Sequence, residues 1–206
     1  MPLVDPVIER VLAEFERRAE EEHRRISAPG SPDVNLDDLL LSVGRDAGML
    51  LYLLATGGRA RRILELGTSY GYSTVWLGAA ARNTGGKVLS LELKQFKIEH
   101  ARQALTRAGL STRVEFHAGD CLESLMQLPG PFDFVLLDVW KDLYLPCFDL
   151  VHPKLAPGGV ICADNMIMPE SARPHADAYR KRVREAGDMD SVLVEVGNGI
   201  EISRKR

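Results

Sequence analysis

Residues 134–142 read Phe134-Val135-Leu136-Leu137-Asp138-Val139-Trp140-Lys141-Asp142, FVLLDVWKD. The opening apolar run is bounded at once by charge, and it reads as a short strand buried on both faces, the kind a parallel sheet contains. Asp138, Trp140 and Lys141 follow at its carboxyl end. In an open α/β sheet that end is where side chains meet a ligand.

Working outward, the chain repeats the same rhythm. ILEL (63–66) precedes a helical pattern to about Arg82, and KVLSLEL (87–93) precedes KQFKIEHARQALTRAG. RVEFHAG (113–119) leads into a short helix, FDFVLLD (132–138) into a helix around Tyr144 to Val151, and GGVICAD (158–164) closes the series. Strands separated by helices indicate a parallel sheet with helices on both faces, because each parallel crossover lays a helix on the sheet. At this length the arrangement is doubly wound rather than a barrel. After a helix through about Ala172 to Ala186, SVLVEV and IEISRK are joined by Gly197-Asn198-Gly199. Asn-Gly between two such runs predicts a hairpin, so the fold expected is an α/β, Rossmann-like, doubly wound and mostly parallel seven-stranded sheet ending in an antiparallel hairpin.

Ahead of the sheet, Ile8, Val11, Leu12 and Phe15 recur at helical spacing from about Val7 to Ser27, and Pro29-Gly30-Ser31-Pro32 breaks the pattern. Asn35 can cap a second helical region running to about Thr56, where Gly57-Gly58 stops it; Gly44 and Gly48 weaken its interior and suggest a break near Gly44. The expectation is one domain over 1–206, with 1–58 as an N-terminal helical extension.

With 206 residues, 45% hydrophobic and 27% charged, and a net charge of −3, the composition is that of a globular protein lacking the basic excess of a nucleic-acid binder. No apolar run approaches the roughly 18 residues of a membrane span, and no N-terminal leader is evident, so a cytoplasmic protein free of membrane is expected. Cys121, Cys147 and Cys162 are odd in number and widely spaced, which argues against a disulfide framework or zinc site and fits a reducing compartment. His100, His117, His152 and Cys121 show no spacing for ligation or nucleophilic catalysis.

The first strand runs into ELGTSYGYS, Glu65 to Ser73. Its glycines let backbone approach a ligand at a helix N-terminus. The spacing is Gly67-x-x-x-Gly71 rather than GxGxxG, and Glu65 beside it disfavours a pyrophosphate and favours a ligand with a cationic amino-acid end. Glu92, ending the second strand, can accept from both ribose hydroxyls of a nucleoside, and Asp120, after the third, can close the adenine side. An acid at such a place can also be a plain helix cap. Asp138 and Asp164-Asn165 end strands four and five; if those strands are neighbours, two carboxylates and an amide oxygen converge as hard ligands suited to Mg²⁺. A turn or cap is the competing reading for Asp164-Asn165.

ELGTSYGYST, the acid in LSLELK, LLDVWKDLY and ICADNMIMP resemble the class I S-adenosylmethionine-dependent methyltransferases, and more narrowly the cation-dependent O-methyltransferases that include the catechol and caffeoyl-CoA enzymes. The resemblance covers about Asp37 to the C-terminus. It implies that Glu65, Gly67, Ser73, Glu92, Asp120 and Asp138 hold S-adenosylmethionine, with Val43 against its amino-acid end and Trp140 near the adenine. Asp138, Asp164 and Asn165 match the family's metal ligands, and Lys141 its catalytic lysine. Pro169 falls at the wall of a catechol slot that Trp140 also borders, and Glu201 matches a carboxylate that contacts the second substrate hydroxyl. Leu39 stands where the catechol enzyme has an aromatic wall, and Val139 replaces a histidine. The resemblance implies Mg²⁺-dependent methyl transfer to a small vicinal dihydroxy aromatic, in a homodimer. A metal-independent methyltransferase and a non-catalytic nucleoside-binding module are the competing readings.

Overall fold

A computed structural model describes residues 5–27 and 35–206. The Pro29 to Pro32 breaker lies outside the described residues. Helix α1 (Pro6–Ile26) starts where Asp5 caps the Val7 N–H and Pro6 occupies the first turn. It buries Ile8, Val11, Leu12 and Phe15, the stripe its periodicity predicts. Asn35 caps a single 3₁₀ turn, Leu36–Asp38, rather than a long helix. Helix α2 (Arg45–Gly57) begins only after Gly44, whose φ of 83° and extended ψ no L-residue adopts comfortably. The break near Gly44 is therefore complete. Gly48, by contrast, lies inside α2 because the buried Trp76 ring fills its space: a Cβ there would stand 2.3 Å from the indole nitrogen.

Seven strands follow the expected order in sequence: β1 (Arg62–Leu66), β2 (Lys87–Glu92), β3 (Val114–Ala118), β4 (Phe132–Leu137), β5 (Leu155–Ala163), β6 (Met189–Val194) and β7 (Ile200–Lys205). In space they run β3-β2-β1-β4-β5-β7-β6. The pairs among β1 to β5 are parallel, while β7 is antiparallel to both β5 and β6. β5 begins three residues before the sequence reading places it, since Pro157 and Gly158-Gly159 disguise its start and its register against β4 shifts there.

Helices α3 (Tyr72–Thr84) and α4 (Gln95–Arg107) join α1 and α2 on one face; α5 (Cys121–Gln127), α6 (Tyr144–Val151) and α7 (Arg173–Glu185) cover the other. β4 shows why its run is continuously apolar: Phe134 and Leu136 enter the first core, Val135 and Leu137 the second. Side chains of α1 and α2 share the first core with α3, and Arg45 bridges Glu9 and Glu16 across that seam. Among the described residues no helix is long and apolar enough to cross a membrane.

Candidate active site

The turn after β1 packs against the end of β4. Gly67 has φ 96°, and a Cβ on it would stand 2.0 Å from the Asp138 carbonyl oxygen, so only glycine fits. Its N–H and that of Thr68 donate to the Leu91 carbonyl, and the Asp138 N–H donates to the Leu66 carbonyl. Gly71, φ 102°, then turns the chain into α3 against Ala101.

Glu92 receives the Ser69 N–H at 2.7 Å on one oxygen and the Lys94 N–H at 3.0 Å on the other. Its carboxylate thus shapes the glycine turn as well as facing the sheet edge. Asp120 lies beside it, because the Gly119 N–H donates to the Glu92 carbonyl. One Asp120 oxygen caps α5 through the N–H groups of Leu122 and Glu123, so the cap reading holds for that oxygen and the second is left for another partner.

Glu65 is placed differently from the expectation. Strand alternation turns it under α3, fully buried, where it accepts from the hydroxyls of Ser73 (2.7 Å), Thr74 (2.6 Å) and Ser90 (2.5 Å). Burial raises its pKa to about 7 despite those three donors.

Asp138 and Asp164 follow Leu137 and Ala163, which pair across β4 and β5, so the aspartates stand side by side about one strand spacing apart. Asp164 is 2% exposed, and among the described residues its Oδ1 has no hydrogen-bond partner. Burial, and next the charge of Asp138, raise its pKa to about 7. Asn165 takes the left-handed conformation, φ 54°, that asparagine tolerates. Among the described residues no three His, Cys, Asp or Glu side chains gather for a metal. An orphaned, buried carboxylate oxygen beside a second carboxylate fits a divalent cation, because a cation offsets both the desolvation and the like-charge repulsion.

Lys141 reaches back to Asp138 at 3.3 Å and also donates to the Tyr144 hydroxyl, with its nitrogen 4.3 Å from that ring's centre. Tyr144 is fully buried and donates onward to the Asp164 carbonyl at 3.1 Å. One phenol therefore ties the lysine to the backbone of the second aspartate. The sequence reading assigns Tyr144 no role; its place three residues after Lys141, within DVWKDLY, is the signal that could have found it.

Apolar side chains reach solvent in the segments after β4 and β5 and before α2. Trp140 is 57% exposed, Met168 and Leu41 are each 51% exposed, and Pro169 is exposed after a cis peptide. Leu39 and Val43 are buried instead, in the segment laid over the glycine turn by bonds from Ser69 to the Leu40 carbonyl and from Tyr70 to the Asp37 carbonyl. In the stretch around Leu39, which stands in place of an aromatic wall, Leu36 and Leu41 are the leucines that reach solvent. Glu201 is not brought to an open cleft. The antiparallel register opposite Ala163 turns it onto the α7 face, fully buried, where Arg180 (2.9 Å) and Ser191 (2.6 Å) hold it.

A glycine turn, an acid after β2 and convergent oxygens after β4 and β5 define a nucleoside-dependent enzyme at the carboxyl edge of a doubly wound sheet. Residues 64–166 match the family described as a methyltransferase domain. The chain is 37% identical over 166 residues to a catechol O-methyltransferase of Mycobacterium tuberculosis, covering 75% of this chain and 74% of that one. It is 28% identical over 187 residues to caffeoyl-CoA O-methyltransferase 2 of Eucalyptus globulus, covering 81% and 75%. The crystal structure of a Bacillus cereus O-methyltransferase in complex with SAH superposes with a TM-score of 0.77 at 26% identity, over 100% of this chain and 93% of that one. The chain belongs to the class I S-adenosylmethionine-dependent O-methyltransferases, of the catechol and caffeoyl-CoA type.

Proposed function

We propose that this O-methyltransferase moves the methyl group of S-adenosylmethionine to one hydroxyl of a small vicinal dihydroxy aromatic, with a divalent cation, Mg²⁺ by donor type, at Asp138, Asp164 and Asn165. The observation that carries the reading is the unpartnered, buried Oδ1 of Asp164 beside Asp138. Catechol and caffeoyl-CoA enzymes among the relatives support the substrate class. When bound, the cation supplies Lewis-acid stabilisation of the phenolate, which matters because a phenol of pKa about 10 is mostly neutral at neutral pH.

The chain's own residues do the rest. Gly67 admits the methionine end of the donor close to backbone, Ser73 and Val43 border it, Glu92 accepts from the ribose, and the free oxygen of Asp120 faces the adenine side. Trp140, Leu41, Met168 and Pro169 form an apolar rim for a flat ring. Lys141, held between Asp138 and Tyr144, takes the hydroxyl proton. Transfer then depends on holding oxygen, methyl carbon and sulfur in line, which positioning supplies without a covalent enzyme intermediate.

The test is turnover of catechol, followed as S-adenosylhomocysteine, with Mg²⁺ and with excess EDTA. Activity should vanish with EDTA and return with Mg²⁺; equal rates would refute the cation. Lys141→Ala should remove most turnover while calorimetric binding of S-adenosylmethionine largely survives, which separates this enzyme from a nucleoside-binding module.

A further inference from the structure

Cys121 and Cys147, 26 positions apart in sequence, touch in the fold with sulfurs 3.9 Å apart. Cys121 opens α5 and Cys147 lies within α6, the neighbouring helix on the same face of the sheet. The two are unequal: Cys147 is fully buried, whereas Cys121 is partly exposed. The hydrogen bond the two thiols share pulls the Cys121 thiol below its ordinary range and pushes that of Cys147 well up. The sulfur an oxidant can reach is therefore the one more readily ionised, and a second sulfur waits in contact with it. Cys162, fully buried in β5 with its thiol pushed up by burial, has neither property.

We propose that Cys121 and Cys147 form a reversible disulfide when the protein meets a peroxide, and that this bond weakens the grip on the nucleoside at the adjacent Asp120. The Cys121 thiolate attacks hydrogen peroxide: an S–O bond forms, the O–O bond breaks, and hydroxide leaves. Cys147 sulfur then attacks the sulfenic sulfur; an S–S bond forms, the S–O bond breaks, and the Cys147 proton departs with the oxygen as water. Two thiols are oxidised by two electrons, one peroxide is reduced to two waters, and a dithiol reverses the bond.

A disulfide bond is about 2.05 Å long, so the sulfurs must close by roughly 2 Å. Part of that movement falls on the first turn of α5, whose Leu122 and Glu123 N–H groups bond the Asp120 carboxylate. The weakening rests on the proposed placement of Asp120 at the adenine; the bond itself does not.

The three cysteines fall in three tryptic peptides, separated by Lys141 and Lys154. Full-length protein treated with hydrogen peroxide, alkylated and digested without reductant should give the Cys121 peptide linked to the Cys147 peptide, two hydrogens lighter than their sum and separated by dithiothreitol. Cys121→Ser and, independently, Cys147→Ala should each abolish the link while thermal melts show a folded protein. Free thiols at both positions, a link through Cys162, or oxidation of Cys121 to sulfinic acid with Cys147 untouched overturns the proposal. Calorimetry with S-adenosylhomocysteine should show binding weaker on the order of fivefold after linkage, restored by dithiothreitol. A clean link with unchanged affinity overturns the regulatory half. Reduced protein that binds no S-adenosylhomocysteine refutes the functional reading instead and leaves the thiol chemistry to the mass spectrum.

Discussion

Tyr144 has a direction built into its bonds. Its proton is committed to the Asp164 carbonyl, so toward Lys141 it can only accept. With Asp138 as second acceptor, two lysine N–H bonds are spoken for, and the nitrogen's remaining direction is left for substrate. Tyr144→Phe keeps the ring and removes that constraint. We expect kcat to fall by about tenfold, one hydrogen bond of roughly 1 to 1.5 kcal/mol, with KM for S-adenosylmethionine little changed. Steady-state kinetics on catechol checks it, and an unaltered kcat would exclude the role.

Glu65 makes a second prediction at this scale, through pH. Its folded pKa of about 7 lies above its ordinary 4.5, so the folded state holds the proton more tightly than the unfolded chain. The corresponding stability is full below about pH 4.5, is lost as pH rises toward 7, and stays lost above it. The difference is on the order of 3 kcal/mol for so buried a group. Urea unfolding at pH 5 and pH 8 should show the wild type weaker at the higher pH and Glu65→Gln with a distinctly smaller change. Asp164 titrates in the same window, so some dependence remains in the variant.

Glycines decide how elements meet. Gly48→Ala pits two magnitudes against each other: helix propensity favours alanine by up to about 1 kcal/mol, while overpacking costs about 1 to 3 kcal/mol. With a Cβ 2.3 Å from a fully buried indole, packing wins, and α2 should be pushed off α3. The expected result is a lower urea midpoint, the opposite of what propensity alone gives. Gly67→Ala faces both a positive φ and a backbone oxygen at 2.0 Å. It should move the glycine turn away from β4 and abolish measurable S-adenosylhomocysteine binding by calorimetry.

The elements also show how far sequence reading reaches. Strands β1, β2, β4 and β5 were legible as short, mostly apolar runs ended by a glycine or an acid, β3 by its alternation before Gly119, and the hairpin because of Asn198-Gly199. That Asp138 and Asp164 stand side by side was legible because each directly follows its strand, and consecutive strands are often neighbours. Glu201 was not, because periodicity reports which face a residue takes only once the neighbouring strand is known. β7 inserts between β5 and β6, and that places Glu201 beneath α7 with Arg180. The helical region expected from Asn35 is only partly helical: its apolar pattern continues across residues 39–43, but the chain leaves the 3₁₀ turn in extended geometry at Leu39 and re-enters a helix only after Gly44.

For the whole molecule, two cores on opposite faces of one sheet carry the stability, and the site lies at the sheet's carboxyl edge where they meet. A ligand that binds only the folded form stabilises it by mass action. S-adenosylhomocysteine at a hundred times its Kd should therefore add about 2.7 kcal/mol, read as a rise in thermal midpoint. No rise would contradict nucleoside binding by the folded chain. The α/β alternation, the closing hairpin, the glycine turn and the acids after β4 and β5 are legible along the chain, because they follow from local periodicity, backbone freedom and residue chemistry. The sealing of Glu65 beneath α3, the link from Lys141 through Tyr144 to the Asp164 backbone, the capture of Glu201 by Arg180 and the contact of Cys121 with Cys147 come from packing. Those depend on which elements pack together, a property of long-range burial that no single segment encodes.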